Sequence, residues 1–184
     1  MALTHTPVCK FGEKASDFAL LGIDGRTWTL EQCAGPNGLL VMFICNHCPY
    51  VKAINLKLVR DARDLQQLGV HCVAIMPNDT AVYPEDSLEN MREVAREQGY
   101  PFPYLIDDTQ GTARAYGAVC TPDFFGYNSD LELQYRGRMD ESGANPDTGE
   151  VARELYLAMK QVAETGKGPE RQVPSMGCSI KWRQ

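Results

Sequence analysis

Long apolar runs are missing from this chain of 184 residues: the longest, Leu39 to Cys45, is seven residues, far short of the ~20 that a membrane-spanning helix needs. Basic residues are also in short supply. Eighteen Lys and Arg stand against 24 Asp and Glu, a net charge of −6, and no basic block occurs anywhere. That pattern argues against nucleic acid as the main partner. The opening Met1-Ala2-Leu3-Thr4-His5-Thr6-Pro7 lacks the charged and apolar regions of a signal peptide, so a cytoplasmic location is the expectation. Internal repeats and low-complexity tracts are absent as well.

What stands out is cysteine. There are seven, an odd number that leaves at least one thiol unpaired within a monomer, in a chain too long to be a disulfide-built miniprotein. In a reducing compartment a close cysteine pair reads as catalytic, redox-sensing or metal-binding rather than structural. At roughly 100–200 residues per domain, the length points to a single domain over residues 1–166. Residues 167–184 are expected to be a tail that packs on or near it.

Hydrophobic periodicity outlines the elements. Phe18 to Leu21, the turn Gly22-Ile23-Asp24-Gly25, and the alternating Arg26 to Leu30 predict a small hairpin. After the breakers Gly35, Pro36 and Gly38, the run Leu39 to Ile44 is apolar on both faces, as a buried central strand requires. From Pro49 to Leu68 the apolar residues Val51, Ile54, Leu58, Ala62, Leu65 and Leu68 follow helical spacing, closed by Gly69. Val70 to Met76 is a second strand, and Pro84 to Gln98, ended by Gly99, a second helix. A short strand over Tyr104 to Ile106 and a short helix over Gln110 to Tyr116 follow. Strands over Phe124 to Tyr127 and Leu131 to Arg136 flank the turn Asn128-Ser129-Asp130, and a last helix covers Val151 to Thr165. An irregular tail then ends in Gly177-Cys178-Ser179-Ile180-Lys181-Trp182. This order predicts an α/β domain of three layers, with helices on both sides of a mixed central sheet.

Cys45-Asn46-His47-Cys48 lies where the central strand feeds its helix. On a first helical turn, residues three apart bring their Cβ atoms close enough for a disulfide. The positive helix end lowers a thiol's pKa there, and His47 is expected to add to that. A stabilised thiolate in turn makes the disulfide a stronger oxidant. A C-x-x-C before the helix of a βαβ unit is a thioredoxin-like redox signature. Copper or zinc binding through Cys45, Cys48 and His47 is the alternative. Zinc wants about four ligands, and the nearest further candidates, His71 and Cys72, point to opposite faces of one strand.

The pairing of Cys45-Asn46-His47-Cys48 with Cys120-Thr121-Pro122, ahead of a later apolar strand, resembles the thioredoxin-like superfamily. There a cis-proline faces the dithiol, which the resemblance places at Thr121-Pro122. Gly12 to Phe18 followed by Asp24-Gly25-Arg26 resembles the opening of the redoxin branch, the alkyl hydroperoxide reductase/thiol-specific antioxidant proteins. Gly177 to Trp182 is similar to the tail of a peroxiredoxin-like group with an Asn-His-Cys-Pro active site. The resemblance implies a redoxin fold with an N-terminal hairpin extension, and catalytic roles for Cys45, Asn46, His47, Cys48, Thr121 and Pro122. It departs from the peroxiredoxin P-x-x-x-T-x-x-C pattern. Counting back from Cys48, the threonine position holds Cys45 and the proline position Val41, and the usual arginine is replaced by Thr121-Pro122.

The order of attack stays open. In a thioredoxin-like dithiol the first cysteine, Cys45, attacks. Pro49 makes Cys48 the N-cap, nearest the positive helix end, in a peroxiredoxin-like Cys-Pro arrangement. Cys178 is an accessory thiol or a tail anchor, and Cys120 an accessory thiol or a small buried residue. Cys72 reads as core, Cys9 and Cys33 as loop cysteines, and Trp28 and Trp182 as packing. Asp140, Glu141, Asp147 and Glu150 read as a solvated loop. The leading expectation is a thiol–disulfide oxidoreductase that needs no organic cofactor or metal. Its substrates are protein or small-molecule disulfides, and a thioredoxin-type dithiol protein or glutathione restores it. The alternative is a thiol peroxidase that reduces hydroperoxides through Cys48 or Cys45, resolved by Cys45 or Cys178.

Overall fold

A computed structural model describes residues 3–145 and 151–184. The central strand shows why a run apolar on both faces folds as it does. Successive side chains of a strand point to opposite sides, and here Leu39, Val41 and Phe43 enter one core while Leu40, Met42 and Ile44 enter another. A sheet buried on both faces needs a helical layer over each.

In chain order the elements are β1 (Leu3–His5), β2 (Ala19–Gly22), β3 (Thr27–Thr29), α1 (Leu30–Cys33), β4 (Gly38–Phe43), α2 (Pro49–Gln67) and β5 (Val70–Met76). A 3₁₀ turn (Pro84–Asp86) then precedes α3 (Leu88–Gln98), β6 (Tyr104–Ile106), α4 (Gly111–Tyr116), β7 (Cys120–Thr121) and β8 (Asp123–Tyr127). The chain closes with β9 (Leu133–Tyr135), α5 (Glu154–Thr165) and β10 (Met176–Ser179). The main sheet runs β3-β2-β6-β5-β4-β8-β9. β4, β5 and β6 are parallel, and β2, β3, β8 and β9 add antiparallel edges. Leu58 of α2, Met91 of α3 and Met159 of α5 cover one face, Leu30 of α1 and Ala113 of α4 the other. The expected three-layer α/β domain with a mixed sheet is therefore the fold.

Four differences from the sequence expectation have physical causes, local in the first two and long-range in the last two. The hairpin ends at Thr29 rather than Leu30, because a capping box starts α1 there: Gln32 N–H donates to Thr29 Oγ1 at 3.3 Å, and Thr29 N–H to Gln32 Oε1 at 2.9 Å. The helix expected over Pro84 to Gln98 breaks at Ser87, whose extended backbone (ψ 155°) makes it the N-cap of α3 and turns Asp86 inward. The tail is not irregular throughout, since β10 pairs antiparallel with both β1 and β7 in a separate sheet of three strands. Asp140 is not solvated either. It is buried against Lys57 Nζ (2.9 Å) and the Ser142 hydroxyl, whereas Glu141 is exposed. Asp147 and Glu150 fall outside the described residues.

Candidate active site

The strand β4 ends at Phe43 and α2 begins at Pro49, so Cys45-Asn46-His47-Cys48 is the connection between the central strand and its covering helix. Cys48 is the N-cap of α2 in extended conformation (φ −67°, ψ 121°), with Pro49 in the first helical position, where its missing N–H costs nothing. The Thr121–Pro122 peptide bond is cis. β7 lies against the connection: the Cys48 Sγ is 3.1 Å from the Thr121 carbonyl oxygen, and the Cys45 Sγ 3.3 Å from Thr121 Oγ1. A third sulfur, Cys178 Sγ of β10, sits 3.1 Å from Cys48 Sγ. Cys45, Cys48 and Cys178 are all buried.

The two sulfurs of the motif are electrostatically unequal. The Cys48 thiol is lowered to about 5, first by the hydrogen bond that Cys45 donates and then by the one from Cys178. Burial opposes this, and the Val51 N–H of the first helical turn assists, although no full capping hydrogen bond closes. Ionisation also gives up the bond that the neutral thiol donates to the Thr121 carbonyl. Cys45 is pushed well above the ordinary thiol range. Its hydrogen bond to Cys48 keeps its proton in place, burial disfavours the anion, and the Asp86 carboxylate repels it. Cys178 is raised by burial and by Cys48 to about 11, with Lys181 pulling the other way.

Asp86 organises the backbone of the motif. Its Oδ1 accepts from the N–H of Asn46 (2.8 Å) and of His47 (3.3 Å). Its Oδ2 meets His47 Nδ1 at 2.7 Å and accepts from Asn78 Nδ2 at 2.8 Å. The His47 ring stacks on Tyr83 at 5.1 Å, and its Nε2 has no partner among the described residues. His47 is thus tied to Asp86, and the thiols Cys45 and Cys178 lead the stabilisation of the Cys48 thiolate. Asn46 is fixed by Tyr104, whose hydroxyl donates to its Oδ1 at 3.0 Å, and by the Glu85 carbonyl.

Sequence reasoning missed Asp86, Asn78, Tyr83 and Tyr104. Asp86 falls inside the helix expected over Pro84 to Gln98 and is not singled out there. Its spacing from the motif carries no signal, because the contact depends on where the β5–α3 connection returns. Cys120 is buried opposite Ser179 of β10, and its thiol reaches the Pro122 carbonyl (3.5 Å). Cys72 lies in the core and Cys33 in α1, while Cys9 is partly exposed in a loop. Trp28 donates to Asp24, and Trp182 packs under Arg114. Among the described residues, Cys45, His47 and Asp86 bring possible metal ligands within 4.8 Å of one another. Cys48 is not of that group, and His47 and Asp86 already bind each other.

A mostly apolar cavity of about 380 Å³ opens beside Pro122 and the first turns of α2. Tyr50, Ile54, Phe124, Met139 and Met176 line it, with His5 and Arg138 among its polar groups.

The AhpC/TSA family profile matches residues 11–154. No curated protein matches the chain. Among solved structures, an uncharacterized conserved protein from Geobacillus kaustophilus is 47% identical, with a TM-score of 0.92 over 100% of this chain and 97% of that one. A hypothetical protein from Sinorhizobium meliloti is 40% identical, with a TM-score of 0.90 over 98% of each chain. The thioredoxin domain of a thiol-disulfide oxidoreductase from Bacteroides vulgatus shares the fold at 13% identity, with a TM-score of 0.59 over 71% of this chain and 89% of that one. The chain belongs to the AhpC/TSA family, in the redoxin branch of the thioredoxin-like superfamily.

Proposed function

We propose that this protein is a thiol–disulfide oxidoreductase whose working dithiol is Cys45 and Cys48, with Cys48 as the attacking sulfur. The observation that carries the reading is the placement of the pair. Cys48 caps α2 with its Sγ 3.1 Å from Cys178 Sγ, whereas Cys45 Sγ sits 3.3 Å from Thr121 Oγ1 and within 4.8 Å of an Asp86 carboxylate oxygen. Negative charge is therefore favoured on Cys48 and opposed on Cys45. The thiolate is the nucleophile in disulfide exchange. Cys48 attacks a substrate disulfide, a mixed disulfide forms, and Cys45 completes the Cys45–Cys48 disulfide as the end product. Thr121 and Pro122 hold the sulfurs in place, and Asp86, through Asn46 and His47, holds the loop. Family membership supports an oxidoreductase. The cavity beside Pro122 suits the apolar flank of a disulfide-bearing substrate. A dithiol protein or glutathione is the reductant that closes the cycle.

Burial favours a second reading. Cys45 and Cys48 are 1% and 0% exposed, which admits a hydroperoxide more readily than a protein disulfide. In a thiol peroxidase Cys48 would be oxidised to a sulfenic acid and then resolved by a thiol. Turnover of hydrogen peroxide and of a small disulfide by wild type, Cys45→Ser and Cys48→Ser separates the two. The oxidoreductase reading expects disulfide turnover to need both cysteines and to outrun peroxide turnover. Fast peroxide consumption lost only in Cys48→Ser, with disulfide reduction slow in every variant, rejects it.

A further inference from the structure

β10 carries a buried thiol that the Cys45–Cys48 chemistry leaves unused. The strand lies antiparallel between β1 and β7, with Cys178 opposite Thr121. We propose that Cys178 is the thiol that first resolves Cys48, so that a Cys48–Cys178 disulfide across β10 precedes the Cys45–Cys48 disulfide. The inference rests on Cys48 being the attacking sulfur.

Placement is the first argument. The Cys48 and Cys178 sulfurs are 3.1 Å apart and need to approach by only about 1 Å to reach bonding distance. The backbone that delivers Cys178 is held firmly. Cys178 pairs with Leu3 on one side and Thr121 on the other. β10 also lies so close to β7 that a Cβ on Gly177 would collide with the Thr121 carbonyl oxygen. Beyond the strand, Lys181 N–H donates to Asn78 Oδ1 at 2.9 Å, and its carbonyl accepts from Asp79 N–H and Gln110 Nε2. Asn78 in turn donates to Asp86, so the tail and the motif loop share one hydrogen-bond network.

Ionisation is the second argument. A resolving thiol has to become a thiolate. With Cys48 tied up in the mixed disulfide, Cys45 is still nearly sealed and set against Thr121 Oγ1, and the Asp86 carboxylate still opposes a negative charge there. Cys178 faces no such carboxylate among its leading influences, and Lys181 favours its anion.

The steps balance. The Cys48 thiolate attacks one sulfur of a substrate disulfide R–S–S–R′, that bond breaks, and R′S⁻ leaves and takes up a proton. Cys178 loses its proton to the departing group or to solvent, attacks the Cys48 sulfur and expels RS⁻, which is protonated in turn. Two electrons have passed to the substrate, whose halves leave as thiols, and the Cys48–Cys178 bond remains. Cys45 then attacks Cys48 more slowly, its proton passing to the departing Cys178 sulfur, so that Cys178 returns as a thiol and the Cys45–Cys48 disulfide remains.

The test mixes reduced full-length protein with oxidised glutathione and quenches it at successive times with acid and a thiol alkylator. Peptide mapping by mass spectrometry then identifies each disulfide. Expected are a glutathione adduct on Cys48, then Cys48–Cys178 peptides, then Cys45–Cys48. In Cys178→Ala the Cys48 adduct persists about tenfold longer or more, because the nearest positioned thiol is gone. Formation of Cys45–Cys48 in wild type without a preceding Cys48–Cys178 species overturns the proposal and needs no variant to fold. Clearance of the adduct at the wild-type rate in folded Cys178→Ala overturns it too. An adduct on Cys45 alone, or none on either sulfur, instead rejects Cys48 as the attacking sulfur.

Discussion

The ionisation of Cys48 gives the sharpest test of the site, and it can be followed without opening the fold. Thiolates absorb in the ultraviolet where thiols do not, so an acid titration of the reduced protein reads even a buried sulfur. With its thiol lowered to about 5, Cys48 is about 99% thiolate at pH 7, against about 1% for a thiol at its ordinary value near 9. One thiolate per chain is therefore expected at neutral pH, disappearing with a midpoint near 5 and absent in Cys48→Ser. Cys45 is the leading cause of the lowering and Cys178 a further donor. A hydrogen bond to a charged group is worth about 1.5–3 kcal/mol, so Cys45→Ala moves the midpoint to between about 6 and 7. Stability follows in a fixed direction. A folded-state value below the unfolded one adds stability that is complete above about 8.5 and lost as pH falls towards 5. Urea denaturation of the reduced protein is then expected to show a wild-type advantage over Cys48→Ser that grows between pH 5 and 9. A wild-type midpoint near 8 or 9, or no change in Cys45→Ala, refutes the electrostatic account of the site.

Three further expectations concern what holds the site in place. Arg136 is buried, paired with Asp123 (3.0 Å) and stacked on Phe125 (4.3 Å), so Arg136→Met leaves an uncompensated buried carboxylate. It lowers stability by about 3–5 kcal/mol, read by urea denaturation. Burial pushes the Asp140 carboxyl up, but Ser142 and Lys57 outweigh it and hold the group below the usual range. The stability from that pair is present at neutral pH and lost below about pH 4, and Lys57→Met reduces the acid sensitivity, with the Ser142 contribution left. At Gly177 an added Cβ meets backbone rather than a movable side chain, so Gly177→Ala displaces β10. Alkylation of Cys48 by iodoacetamide at neutral pH should then accelerate at least about tenfold, as local opening becomes cheaper. An unchanged rate would show that β10 does not cover that sulfur.

The legible part of the fold is the part governed by periodicity. The bounds of β5 and β6 match the sequence reading residue for residue, and those of β4, α2 and α4 fall within one residue of it. Local rules also found the cysteine motif at the mouth of the central strand and Pro49 at the helix start. The elements that escaped have no periodicity to read. β1, β7 and β10 are two to four residues long, and they are strands only because they pair with one another across the whole chain. Asp140 looked solvated because its neighbours in sequence are polar, yet its partner Lys57 lies on α2.

The amino-acid sequence by itself determined the layers of the domain, the strand-to-helix placement of Cys45 and Cys48, and a redoxin kinship carried by short motifs. Each of these depends on residues close together in the chain, where strand alternation, helical spacing and proline geometry act. Which sulfur ionises was decided only by the tertiary structure. The leading contribution is the hydrogen bond between the two sulfurs of the motif, but its sense is set by Asp86, which opposes charge on Cys45, and by Cys178, which donates to Cys48. These lie 38 and 130 positions from Cys48, and no local pattern encodes pieces so distant. Of the seven cysteines, the sequence singled out a pair, and the fold set a third beside it.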